Sequence, residues 1–314
     1  MSHSVFPGAQ VPDRQRGVDS SGVRIAVHEW GHVDDPPMLL THGGSEFARS
    51  FDVFAPLVAA GGWRVVAWDQ RGHGDSEHAA LVSWDADLRD AIAVMDTLSP
   101  DPMPVVGHSK GGTLMTMLAE AAPHRVSHVV NLDGFPSTAA QLARFGSDAV
   151  TMRLRELPAW LDHRRNDDLA RRPGTIDELA ARRGRVNPRL TPQWLRYLVT
   201  VGGEQTPHGW RWKLDPAHKG GSLVPLRPEW GMLGMTGLGM PFLAVLGMIA
   251  EEVMSTGTSA AQLAPLLPPD ARVVELPDSG HFVHIERPRA VAEAILDFVA
   301  STPQLQPRAQ RHAS

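Results

Sequence analysis

Residues Val105-Val106-Gly107-His108-Ser109-Lys110-Gly111-Gly112 decide the fold. Gly107 and Gly111 stand two residues either side of Ser109, and this Gly-x-Ser-x-Gly pattern lets the backbone turn sharply from a strand into a helix. The turn lifts the serine hydroxyl into the open at a helix N-terminus. Five letters recur by chance, so the flanks matter. An apolar, strand-like run from Met103 to Val106 precedes the pattern, and Thr113 to Glu120 reads as a helix after it. That context separates a nucleophile turn from a glycine-rich bend holding a bystander serine.

Two further segments fall where an exposed serine needs them. Upstream, Met38-Leu39-Leu40 runs into Thr41-His42-Gly43-Gly44-Ser45, a strand followed by a loop bare enough to approach a substrate. Such a loop supplies one oxyanion N–H and the residue after the nucleophile supplies the other, which assigns the donors to Gly44 and Lys110 and puts Gly43 against the substrate. Downstream, Val273-Val274-Glu275-Leu276 leads into Pro277-Asp278-Ser279-Gly280-His281, a strand ending in a histidine presented on a loop. A histidine titrating near neutrality takes a serine proton and returns it to a leaving group, so His281 is the candidate base.

With these segments in hand, the chain resembles the α/β-hydrolase superfamily, in its cap-containing, esterase- and lipase-like branch. The resemblance rests on His42-Gly43-Gly44, on Trp68-Asp69-Gln70-Arg71-Gly72-His73-Gly74-Asp75-Ser76, on Gly107 to Gly112, and on Gly280-His281-Phe282-Val283-His284-Ile285-Glu286-Arg287-Pro288. It covers about residues 20–135 and 238–300. The resemblance implies that the 69–76 loop shapes the floor of the cavity without doing chemistry. Arg71 and Asp75 are then expected to bond loop backbone, with Gly72 and Gly74 at turn positions.

The third triad member departs from the family pattern. The resemblance places an acid three or four residues after the glycine ending the seventh core strand, and here Phe242 to Gly247 is followed by Met248-Ile249-Ala250-Glu251-Glu252. Spacing therefore ranks Glu251 first. Some relatives draw the acid from the end of the sixth strand, where Val129-Val130-Asn131-Leu132-Asp133 makes Asp133 the second choice, ahead of Glu252. Whichever acts would hold the histidine tautomer and stabilise the imidazolium.

Short apolar strands alternate with helical patterns from Arg64 to Leu132, which predicts an α/β fold: a mostly parallel, doubly wound sheet with helices on both faces. The alternation stops after Asp133. About a hundred residues pass before the next clean strand, too many for a loop inside a compact domain. They carry their own helix starts, a capping box at Thr175-Ile176-Asp177-Glu178 and an N-cap with proline at Thr191-Pro192. The expected organisation is a core of residues 1–134 and 240–300, a largely helical cap at 135–239, and a disordered polar tail at 301–314.

The composition of the 314 residues, 42% hydrophobic and 21% charged, suits one large α/β core with a smaller unit. No apolar stretch approaches the ~20 residues of a membrane span, and the first residues lack the basic-then-apolar order of a secretory signal, so a cytoplasmic location is expected. With no cysteine there is no disulfide and no thiol nucleophile to rival serine. No helical His-x3-His or His-Glu-x-x-His spacing predicts a metal, and no cofactor is expected. Nucleic acid is not an expected partner of a chain with net charge −5 and no basic fold motif.

Charge is divided unevenly. Residues 136–240 hold 14 Arg and 2 Lys against 10 acids, leaving the cap near +6 and the remainder near −11. Either the cap docks electrostatically and favours anionic substrates, or these are solvated arginine-rich helices. The cap also holds Trp160, Trp194, Trp210, Trp212 and Trp230, with Met232, Met235 and Met240. Such a cluster suggests an apolar ceiling over the serine, with Trp194 and Trp212 as candidate substrate contacts, although any one of these rings could serve the cap's own core. The Lys110 side chain either leans over the cleft or points inertly along its helix. The expected activity is hydrolysis of a small, largely hydrophobic carboxylic ester through an acyl-enzyme. The alternatives are a carbon–carbon bond hydrolase or lactonase on the same residues, or a non-hydrolytic lyase or ligand-binding protein with this fold.

Overall fold

The computed structural model describes residues 6–79, 82–135, 172–215, 234–250 and 258–302. Eight strands form one sheet in the order β1-β2-β4-β3-β5-β6-β9-β10. The strands are β1 (Arg14–Asp19), β2 (Arg24–Trp30), β3 (Pro37–Thr41), β4 (Arg64–Trp68), β5 (Met103–His108), β6 (Val126–Leu132), β9 (Phe242–Gly247) and β10 (Arg272–Leu276), with β7 (Gly203–Thr206) and β8 (Gly209–Trp212) forming a separate hairpin. From β4 through β10 neighbours run parallel; only β1 with β2 and β2 with β4 are antiparallel.

The central strands are apolar without alternation because both faces are covered. Leu39 and Val105 point into one apolar layer, and their successors Leu40 and Val106 point into the other. On the first face lie α2 (Trp84–Asp96) and α3 (Lys110–Ala121), contributing Ala91, Val94, Leu114 and Leu118. On the second, α1 (Phe54–Ala59) and the C-terminal helix (Pro288–Ser301) contribute Phe54, Val58, Ile295 and Phe298.

Between β6 and β9 the chain builds a second unit. Here α4 (Ile176–Val186) begins at the expected capping box, with Thr175 and Glu178 each bonding the other's backbone, and α5 (Pro192–Gly202) begins at the Thr191 cap. The insertion also carries the β7–β8 hairpin, so its described part is helix plus hairpin. Leu179, Leu190, Leu195, Leu198 and Val199 pack against Phe47, from the loop after β3, and Phe282, from the loop after β10. The insertion therefore closes over the carboxyl edge of the sheet.

Ion pairs follow the charge asymmetry, with Lys213 on Asp75 at 2.5 Å and Arg189 on Glu286 at 2.8 Å. Partly exposed pairs of this kind contribute about 0–1 kcal/mol each, so the apolar seam is the larger contribution to this contact. Trp160, Trp230, Met232 and the tail from residue 303 lie outside the described residues.

Candidate active site

Ser109 closes β5 and opens α3 with φ 52° and ψ −120°. A left-handed residue other than glycine costs about 1–3 kcal/mol and persists only where its surroundings hold it. They do so by direct backbone contact. A Cβ on Gly107 would strike the Gly111 carbonyl, and one on Gly111 would strike the Thr41 carbonyl. The Ser109 N–H donates to the Leu132 carbonyl at 3.0 Å, tying the turn to β6.

The loop after β3 lies against this turn. A Cβ on Gly43 would sit 3.1 Å from the Ser109 Cβ and collide with Glu46, so only glycine permits the approach. Gly44 is exposed, and a Cβ built on it would lie 4.0 Å from the Lys110 Cβ. The two residues expected to supply the oxyanion N–H groups thus lie close together at the serine turn. Gly43 is buried, and its N–H is taken by Glu46 at 2.9 Å.

His281 follows β10 and is buried. Its Nδ1–H donates to Asp133 Oδ2 at 2.7 Å, which leaves Nε2 as the basic nitrogen of the neutral ring. Asp133 caps β6 with φ 49°; its N–H donates to Val245 and its Oδ1 accepts from the Gly247 N–H at 3.3 Å. Spacing ranks Glu251 above this residue; among the described residues the carboxylate that bonds His281 is Asp133. Parallel pairing sets the ends of β5, β6 and β9 side by side, and Gly247 touches the Gly280 backbone, so the β6 end already faces the histidine. Glu251 and Glu252 lie outside the described residues.

Beneath the serine is a network that sequence reasoning did not identify. His108 Nδ1 lies 2.6 Å from Glu46 Oε2, and His108 Nε2 lies 2.9 Å from the His281 carbonyl. Both partners are acceptors, so the ring is doubly protonated and Glu46 is its counter-ion. Burial alone would raise the Glu46 pKa, but the His108 charge and hydrogen bond hold it far below the usual carboxylate range. Burial likewise opposes charge on His108, and Glu46 overcomes it and raises the pKa. His284, buried beside them at 4.4 Å between ring centroids, is driven well down by burial and then by His108. The signal for this network was available: His108 stands inside the serine motif and Glu46 directly follows its loop.

Lys110 follows neither expected course. Its Nζ donates to Asp87 of α2 and to Gln70, each at 2.7 Å, and lies 5.6 Å from the Trp84 ring centroid. Arg71 is buried and grips Asp90 through Nε and Nη2, each at 2.7 Å. Asp75, expected to bond loop backbone, pairs through its side chain with Lys213 of the insertion instead. Asp69 has that role, accepting from Ala48 at 2.6 Å and Asp75 at 2.8 Å, while Gly72 and Gly74 take the left-handed turn positions.

Trp194, expected as a substrate contact, packs into the seam between insertion and sheet. It is 2% exposed and stacks edge-on to Phe6 at 4.6 Å, inside the apolar seam. Met235 lies in the sheet core, whereas Trp212 is half-buried and lines a cavity with Phe47 and Arg183. Two described clusters have metal-compatible donors, Glu46 with His108 and His284, and His28 with Asp69 and Asp75. In the first, a cation would have to displace the Glu46–His108 proton. In the second, Asp69 Oδ2 already accepts from the Asp75 N–H and meets His28 at 3.1 Å.

A profile of the α/β-hydrolase fold family matches residues 36–288. The sn-1-specific diacylglycerol lipase ABHD11 of Mus musculus is 27% identical over 91% of this chain and 90% of its own. Epoxide hydrolase A of Mycobacterium tuberculosis is 28% identical over 91% and 97%. Among solved structures, a thioesterase domain from the curacin biosynthetic pathway superposes with a TM-score of 0.76 at 23% identity, covering 90% of this chain and 99% of that one. Among the described residues no helix is long and apolar enough to cross a membrane.

Proposed function

Since the chain belongs to the α/β-hydrolase fold family, we propose that it is a serine hydrolase of the cap-containing branch, cleaving small, largely hydrophobic carboxylic esters through an acyl-enzyme. The observation that carries this reading is the His281–Asp133 hydrogen bond at 2.7 Å, set beside a serine on a strained strand-to-helix turn. Asp133 holds the His281 proton on Nδ1, so Nε2 takes the Ser109 proton as the hydroxyl attacks the ester carbonyl. The Gly44 and Lys110 N–H groups receive the oxyanion, each contributing about 3 kcal/mol to the transition state. His281 then protonates the leaving alcohol. A water deprotonated by the same nitrogen attacks the acyl carbonyl, the carboxylate leaves, and Ser109 regains its proton.

The Mycobacterium tuberculosis relative is named an epoxide hydrolase, a class that attacks with a carboxylate. Serine at position 109 favours acyl transfer instead. The loop His42-Gly43-Gly44 supports the esterase-like assignment because its exposed second glycine stands opposite Lys110. A panel of 4-nitrophenyl esters with a fluorophosphonate probe tests the reading. Ester turnover and addition of one phosphonyl group, both abolished in Ser109→Ala, are expected. Labelling undiminished in that variant would overturn it.

A further inference from the structure

Arg183 brings a guanidinium to the seam between insertion and sheet with its strongest binding edge unused. It extends from the last turn of α4, and Nη1 donates to the Ser45 carbonyl at 3.0 Å. Nε is buried without a hydrogen-bond partner, and Nη2 bonds no described residue. That Nε–Nη2 edge is the one with which Arg71 grips the Asp90 carboxylate in this same molecule. A planar guanidinium matches a carboxylate bidentately along it, so Arg183 presents a formed half of such a pair.

Among the described residues Arg183 forms no ion pair of its own. The Glu46 carboxylate is nearby, but it is bound to the Gly43 N–H and to the doubly protonated His108. Lys213 is paired with Asp75. Burial makes the Arg183 charge harder to hold, and the Glu46 charge opposes that effect. A cavity of about 60 Å³ opens here, walled by Ser45, Phe47, Trp212 and Leu214, with Arg183, Lys213 and Glu46 as its charged lining. Glu46 is already paired with His108 and Lys213 with Asp75, so Arg183 is the lining charge without an ion-pair partner among the described residues.

The cavity is also close to the chemistry. Gly43 lies against Ser109, and at most about 7 Å of backbone separates Gly43 from Ser45 in the cavity wall. A short acyl chain spans that distance. We propose that this cavity receives the carboxylate end of a carboxy-acyl ester, with Arg183 pairing to it through Nε and Nη2 while Phe47 and Trp212 contact the methylenes. The inference rests on Ser109 as nucleophile and narrows the substrate to monoesters of short dicarboxylic acids.

The test compares mono(4-nitrophenyl) succinate, glutarate and adipate with neutral 4-nitrophenyl esters of matched length. At one member of the series kcat/KM should favour the anionic ester by about tenfold or more. The advantage should appear mainly in KM, shrink with added salt, fall toward unity in Arg183→Ala and return in part in Arg183→Lys. Calorimetric titration of free glutarate and adipate into the Ser109→Ala protein gives a readout independent of turnover. Binding there, lost when Arg183→Ala is added, is expected. No anionic preference at any length, or one that survives Arg183→Ala, overturns the proposal. Loss of fluorophosphonate labelling with dicarboxylate binding intact would instead sink the serine-hydrolase reading alone.

Discussion

Asp133 Oδ2 and His281 Nδ1 meet at 2.7 Å although 148 positions separate them in the chain. The whole insertion lies in that interval. The contact is made by strand ends, and it supports the proposal that the acid comes from β6. Asp133→Asn should therefore lower kcat by about 10⁴-fold, the cost of losing the tautomer-holding acid. Glu251→Gln should leave kcat within a few-fold. Steady-state kinetics on one ester decide it, and the opposite order of losses would return the acid to the segment after β9.

Lys110 is the proposed oxyanion donor through its backbone N–H, and its side chain pairs with Asp87 of α2. Asp87 is 1% exposed, and removing its cation leaves a buried carboxylate unpaired. Lys110→Met should lower stability by about 1–3 kcal/mol, discounted because the lysine head is partly exposed. Fluorophosphonate labelling of the folded fraction should persist. Adding Asp87→Leu should recover part of the loss in a denaturant titration.

The buried imidazoles give stability a pH dependence of two signs. His108 has a raised folded pKa, so its contribution is complete below the unfolded value of about 6.5 and is lost as pH rises through the folded value. Glu46 is lowered, so its contribution is present above about pH 4.3 and is lost as pH falls toward its folded value. The pair stabilises most between these limits. His284 stays neutral when folded while the unfolded chain takes up a proton near pH 6.5, so it weakens the fold as pH drops below that. His284→Phe should flatten the acid side of a plot of unfolding free energy against pH, and Glu46→Gln should erase the decline above pH 6.5.

The two tryptophans between β6 and β9 should separate cleanly. Trp194→Ala, in the apolar seam, should cost about 3–5 kcal/mol with little change in acyl-chain preference. Trp212→Ala, at the cavity wall, should change chain-length preference and KM at a smaller cost in stability. Thermal melts and kcat/KM across an ester series distinguish them. Equal effects on both readouts would merge the two roles.

The local signals were legible wherever a few neighbouring residues carry them. Gly107 and Gly111 announced the turn at Ser109, Thr175 with Glu178 announced α4, and the apolar runs of β5, β6 and β9 announced strands buried on both faces. Gly43 and Gly44 announced the loop that meets the turn. Each rests on sterics or hydrogen bonds within a few residues, which sequence order alone determines. Tertiary structure decided the partners. Counting from Gly247 pointed to Glu251 because spacing measures distance along one loop, whereas Asp133 reaches His281 across adjacent parallel strands. Lys110 found Asp87, Arg71 found Asp90 and His108 found Glu46 because buried charges are held by whichever opposite charge the packed core places beside them. Trp194 and Trp212 share one composition signal, and only the packing of the insertion onto Phe6 and Phe47 sent one into the seam and the other to the cavity beside Arg183.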